Sequence, residues 1–264
     1  MMNVGANFLR EHVIPESRIH YAIIDAGGKA ANVVQAKARV DYVLRAPQMP
    51  YVLDMAERLY KIARGAALMT ETEVTWNVIS GTSNLLATKA VYDRYDANLR
   101  SFLPVDYSPE ELLYAKMFKD SFDASDNARM RKALTLSHPD KSTDEINKML
   151  DAPMPNYICR DIGNTASTDA GDVTWVVPGC QLHVACYPAG TPFHSWQLAA
   201  MGKSSLVHKG MALAAKTIAM TALDFLLDNA LVQQARKDFL SMLDGQTYRC
   251  PLPDDLTPDM MLSF

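Results

Sequence analysis

The chain has 264 residues, room for one large domain or two small ones, and its 48% apolar content is ample for a core. A formal net charge of −4 with no block of Lys or Arg gives no general attraction for nucleic acid or anionic lipid, so neither partner is expected. Four cysteines are too few for a disulfide framework; with no signal-like N-terminus and no apolar run of transmembrane length, the expected setting is reduced, cytoplasmic and off the membrane.

In chain order, "NVGANFLREHV" has helical spacing with Val4, Phe8 and Leu9 on one side. "RIHYAIID" (18–25) is strand-like, and Gly27-Gly28 marks the turn after it. In "NVVQAKARVDYVLRA" the even positions, among them Val34, Val40, Tyr42 and Leu44, are apolar and most odd positions between them polar, the period-two pattern of a half-buried strand. Val52, Met55, Leu59, Ile62, Ala63 and Ala66 form a helical stripe. "ETEVTWNVIS" alternates again, with Val74, Trp76 and Val78 on one face, and predicts a third strand.

Residues 87–135 read as helical, with a Pro109-Glu110-Glu111 start inside them. A loop, "SHPDKSTDE", ends in the capping-box pattern Ser142…Glu145. After the Pro-rich "DAPMPNY", short strands are expected around 173–177 and 181–187. Residues 204–243 are helical and break near Asp228, and a proline-bearing tail closes the chain.

The first ninety residues thus run helix, strand, strand, helix, strand. That is a ferredoxin-like order lacking its first strand. The opening helix also begins at Met1 with no residue before it to cap it, although helix starts favour Ser, Thr, Asp or Asn there. The expectation is a chain that starts inside a domain; the plain alternative is an independent three-stranded α+β domain.

The densest chemistry lies in "STDAGDVTWVVPGCQLHVACYPAGTPFHSWQ" (167–197). Cys180-x-x-His183-x-x-Cys186 suggests zinc, but strand alternation would point His183 away from both cysteines, and no second ligand pair stands at a familiar spacing. Buried cysteines and a half-buried histidine are the expected outcome. Gly27-Gly28-Lys29 lacks the wider glycine spacing and the following Ser/Thr of a phosphate loop. No Gly-x-Ser-x-Gly elbow occurs. His194, in "GTPFHSW", follows a Gly-x-Pro turn that imposes a defined backbone and can aim a neutral imidazole at a metal. A surface-loop histidine is the plain alternative, and Asp169 and Asp172 have a similar one as turn residues beside Gly171.

Three segments, "DAGGKAANVVQ…VLRAP" (25–47), "STDAGDVTWVVP" (167–178) and "TPFHSWQ" (191–197), resemble motifs of the aminoacylase/carboxypeptidase-like metallopeptidases, in their amidohydrolase branch. The resemblance runs from the first residue nearly to the last. It implies an α/β catalytic domain that holds two divalent metals (Zn or Mn), and a smaller ferredoxin-like lid that mediates dimerisation. The implied reaction is hydrolysis of the amide bond of an N-acyl or N-aroyl amino acid, of p-aminobenzoyl-glutamate type, with the metals polarising the carbonyl and activating water and a glutamate as base.

By the same resemblance His194 is a metal ligand, Asn32 reaches the substrate in a neighbouring subunit's site, and Asp169 borders the metal centre as a substrate-pocket residue. Two positions depart from the pattern: Gln35 stands where the family has Pro, and Phe193 where it has Gly. Residues 1–86 correspond to an incomplete lid and 87–264 to the C-terminal part of the catalytic domain. The family's other metal ligands and its catalytic base fall in a portion preceding Met1, so no catalytic residue is assigned here. The expectation is a chain that binds no metal tightly and is inactive alone, working as a homodimer through the lid or with a partner supplying the other half. The competing class is a non-catalytic dimerisation or regulatory module.

Overall fold

The computed structural model describes residues 1–156 and 166–257. It divides into two compact units: Met1–Leu85 with Ser167–Asp172 and the stretch from Tyr248 onward, and Leu86–Ala166 with Val173–Thr247. Among the described residues the architecture is mixed, many helices and one two-stranded antiparallel sheet, compatible with an α+β class.

In the first unit α1 (Met2–Leu9) runs into a 3-10 turn, Arg10–His12. Strands β1 (Arg18–Asp25) and β2 (Arg39–Arg45) pair antiparallel with Ile19 opposite Leu44 and Tyr21 opposite Tyr42. Helix α2 (Met49–Thr70) starts with Pro50 in its first turn, where a missing N–H costs nothing. Its stripe Met55, Leu59, Ala63, Ala66 is buried, and Met55 and Leu59 pack with Ala6, Leu9 and Ile19. Gly5 lets α1 approach α2: a Cβ there would stand 2.5 Å from a methyl of Ile62.

Several expectations are corrected. On α1 the inward residues are Ala6 and Leu9, while Val4 and Phe8 are exposed. The second strand forms only over Arg39–Arg45; residues 32–38 are irregular, held in a glycine-bearing loop. The third strand, 71–80, does not form. That segment makes no ladder, and its Trp76 instead stacks on Tyr60 of α2, with ring centroids 4.8 Å apart and the Arg64 guanidinium 5.1 Å above the indole. An alternating sequence with an aromatic anchor can dock by its side chains without pairing its backbone.

The second unit is helical. Its elements are α3 (Lys89–Ser101), α4 (Pro109–Lys119), α5 (Ala124–Ser137), α6 (Thr143–Asp151), α7 (Ala170–Thr174, crossing the division between units), α8 (Trp196–Met201), α9 (Ser205–Leu227) and α10 (Asn229–Leu243). The starts of α4, α6 and α10 are where the sequence places them. Ser108 with Glu111 and Ser142 with Glu145 form complete capping boxes, and Asp228 ends α9 and caps α10. Leu134, Ile146 and Leu150 make one core between α5 and α6; Tyr107, Ala115, Met154 and Leu206 make another around α4 and α9.

The strands expected at 173–177 and 181–187 are absent, the first replaced by the end of α7 and a turn. Residues 185–186 lie on α9 rather than beside another strand: a Cβ on Gly210 would stand 2.5 Å from Cys186 Sγ and 2.7 Å from the Ala185 carbonyl. Helix α9 is also long and apolar enough, by length and composition alone, to cross a membrane (23 residues, mean hydropathy 1.4), a run not recognised in the sequence. It buries Leu206, Val207, Gly210, Leu213, Thr217 and Thr221 within its unit.

Candidate functional site

His194 stands on a loop whose shape is fixed locally. Gly190 takes φ +92°, and Thr191 donates from both its N–H and its hydroxyl to the Pro188 carbonyl, at 3.2 and 2.8 Å. Ser195 then closes a second turn, its hydroxyl donating to the Pro192 carbonyl at 2.7 Å while accepting from the Leu198 N–H as N-cap of α8. Between these turns His194 is held at φ +59°, the left-handed region that a residue with a Cβ enters at a cost of about 1–2 kcal/mol. The family's Gly at position 193 allows a positive φ that Phe193 resists; in this chain the positive φ stands one residue on, at His194. The imidazole is exposed, and so are Phe193 and Trp196. Strained backbone held by its surroundings is characteristic of functional positions.

Among the described residues the Cys180/His183/Cys186 run forms no group that could hold a metal ion. His183 is exposed, not half-buried as expected, and Cys180 and Cys186 are half-buried rather than buried; that partial burial still pushes the Cys180 thiol up to about 11 and raises that of Cys186. A thiol that resists ionisation is a poor nucleophile. The zinc reading finds no support in the geometry: among the described residues these side chains form no group that could hold a metal ion, and the strand whose alternation spoke against it is not present.

In the other unit, Asp169 is exposed in the turn leading into α7, its carboxylate 3.4 Å from the Thr168 hydroxyl. Asp172 is different. Its carboxylate accepts from the Ser83 N–H at 3.2 and 3.3 Å, from the Ser83 hydroxyl at 2.6 Å and from the Tyr248 hydroxyl at 3.1 Å. The Tyr248 phenol is pushed up to about 12, by burial first, then by its hydrogen bonds with Cys250 and Asp172. In the sequence a turn role was the plain alternative for Asp172, and no partner was named for it. Its partners are 89 and 76 positions away, and nothing local signals them.

Asn32 lies exposed in the irregular stretch between β1 and β2. That loop begins with an Asx turn, Gly27 N–H to Asp25 Oδ1 at 2.7 Å, and continues through Gly27 and Gly28 at φ +84° and +152°. Gln35, at the position of the family proline, braces it: its amide donates to the Ala30 and Val33 carbonyls at 3.4 and 3.3 Å, and a Cβ on Gly28 would meet its Oε1 at 2.9 Å.

Asn32 and Asp169 thus belong to one unit and His194 to the other. Among the described residues no three His, Cys, Asp or Glu side chains form a group that could hold a metal ion. His194 offers one imidazole, and a catalytic zinc takes about three protein ligands. The described residues by themselves do not fit a metal centre, and no chemical step is derived through one.

No family model matches the chain. It is 37% identical to a subunit of p-aminobenzoyl-glutamate hydrolase from Escherichia coli (strain K12) over 262 residues, covering 98% of this chain and 54% of that protein. It is 26% identical to Xaa-Arg dipeptidase of Mus musculus over 241 residues, covering 90% of this chain and 44% of that protein. The chain therefore spans about half the length of the curated relatives it matches. Through nearly all of its residues the chain is a partial-length relative of that p-aminobenzoyl-glutamate hydrolase subunit.

Proposed function

We propose that the chain serves an amidohydrolase that cleaves the amide bond of N-acyl or N-aroyl amino acids, of p-aminobenzoyl-glutamate type. The observation that carries this is 37% identity over 98% of the chain to a subunit of such a hydrolase. A second relative named for a dipeptidase supports the same bond class. In this reading the reaction is metal-dependent, with zinc or manganese, and takes place in the cytoplasm. His194 gives one ligand from its strained loop, Asp169 lines the pocket and Asn32 reaches substrate from a ferredoxin-like lid. One imidazole does not make a dinuclear centre, so the remaining ligands come from outside the described residues and the chain does not hydrolyse the amide alone. Among the described residues the lid's sheet has two strands, and a sheet this narrow favours association through the lid with a second copy.

The test is p-aminobenzoate release from p-aminobenzoyl-glutamate with added Zn or Mn. The chain alone should release none. Mixed with the portion of the Escherichia coli relative that it does not match, it should release product, and His194→Ala should abolish this. Release by the chain alone that survives His194→Ala refutes the assignment, as does an inactive mixture in which the two polypeptides co-purify.

A further inference from the structure

The loop 167–172 makes its own internal turn. Gly171 N–H donates to the Thr168 carbonyl and Asp172 N–H to the Asp169 carbonyl, both at 3.1 Å. Those bonds fix the loop's shape but not its place in the unit. At one end the Asp172 carboxylate ties it to distant parts of the unit. There the Ser83 N–H, the Ser83 hydroxyl and the Tyr248 hydroxyl converge on one acceptor group. Ser83 is buried, so removing the acceptor strands two donors away from water. Gly171 completes the seat: a Cβ there would fall 2.0 Å from the Ser83 carbonyl oxygen, a backbone atom with no freedom to yield.

We infer that Asp172 is a positioning residue: by gathering Ser83 and Tyr248 onto one carboxylate it fixes where the Asp169 side chain stands. Its functional meaning rests on Asp169 being a pocket residue, as proposed above. The link between the two is short and stiff, because the Asp172 N–H donates to Asp169's own carbonyl in the turn. Asp172 touches no substrate in this scheme and acts through Asp169. Asparagine at 172 would keep one oxygen for Ser83 and could donate to Tyr248, whose hydroxyl can accept. Alanine would keep nothing.

Hydrogen exchange by mass spectrometry on the full chain tests this. Asp172→Ala should speed exchange across 168–172 by about tenfold, the effect of losing hydrogen bonds to a charged group. Peptides from α2 should keep their wild-type rates. Asp172→Asn should restore most of the protection, a rescue that loss of general stability would not give. Ser83→Ala and Tyr248→Phe each remove one donor, should give intermediate rates, and carry the test if Asp172→Ala fails to fold. Unchanged exchange at 168–172, or equal acceleration of loop and α2, overturns the inference. Asp169→Ala separates the two claims: it should impair p-aminobenzoate release in the active mixture while leaving loop exchange as in wild type. If release is unaffected, the pocket reading fails, while the exchange of Asp172→Ala still decides whether Asp172 places the loop.

Discussion

Asp224 on α9 receives the Nε–H of Arg94 on α3 at 2.6 Å, and the same oxygen takes the Asn98 amide at 2.7 Å. Arg94 first, then Asn98, hold the carboxyl down to about 2. The folded state therefore binds this proton less readily than the unfolded chain, whose aspartates titrate near pH 4. The contribution to stability is complete above about pH 4 and fades as pH falls towards about 2. In thermal melts Asp224→Asn should lower Tm by a few degrees at pH 7, and the gap to wild type should close in acid. A gap independent of pH counts against the pair. Asn98 is buried and also bonds Thr221 at 3.0 Å, so Asn98→Ala should cost about 1–3 kcal/mol in denaturant unfolding.

His194 at φ +59° gives a test that separates stability from function. Glycine takes this conformation freely, so His194→Gly should be neutral to stabilising, by up to about 1 kcal/mol after the added freedom of the unfolded chain is counted. His194→Ala keeps the strain and should show no gain. Denaturant midpoints of the two variants decide the matter. A destabilised glycine variant would mean that the imidazole makes contacts worth more than the strain.

Burial holds the Cys180 thiol near 11, whereas Cys250 is exposed. Alkylation at pH 8 followed by peptide mapping should label Cys250 in minutes and leave Cys180 largely unmodified. Rapid modification of Cys180 in the folded chain would show that its pocket opens readily.

Gly210 lets residues 185–186 lie on α9, with a potential Cβ 2.5 Å from Cys186 Sγ and 2.7 Å from the Ala185 carbonyl. Gly210→Ala should cost about 1–3 kcal/mol despite alanine's better helix propensity, because backbone as well as side chain must move. Chemical denaturation measures it. A more stable variant would show that the 181–187 segment shifts at little cost.

The helices were legible because their signals are local. Ser108 and Glu111, Ser142 and Glu145, and Asp228 all lie within a few residues of the turns they cap, and each sits where its sequence pattern puts it. Strands were misread where alternation was present without a partner. Residues 71–80 alternate, but Trp76 docks on Tyr60 and, among the described residues, no strand supplies a ladder. Residues 181–187 alternate too, yet stretch across Gly210. Period two states which face is apolar, not whether the backbone finds hydrogen bonds. The family motifs pointed to His194, Asp169 and Asn32, but gave no sign of the grip of Ser83 and Tyr248 on Asp172, which joins positions far apart in the chain.

Glu111 has two employments at once. One carboxylate oxygen, Oε2, accepts the Ser108 N–H at 2.8 Å, closing the capping box of α4, and also the Lys209 ammonium of α9 at 2.6 Å. Lys209 in turn donates to the Asp106 carbonyl at 2.7 Å and lies 5.6 Å from the Tyr107 ring centroid. Fraying the first turn of α4 would therefore release α9 from the 106–107 segment, and detaching α9 would fray that turn. Where most helix ends open by themselves, this one is latched to a second helix, so the α4 start and the N-terminal half of α9 should exchange their amide hydrogens as one cooperative block.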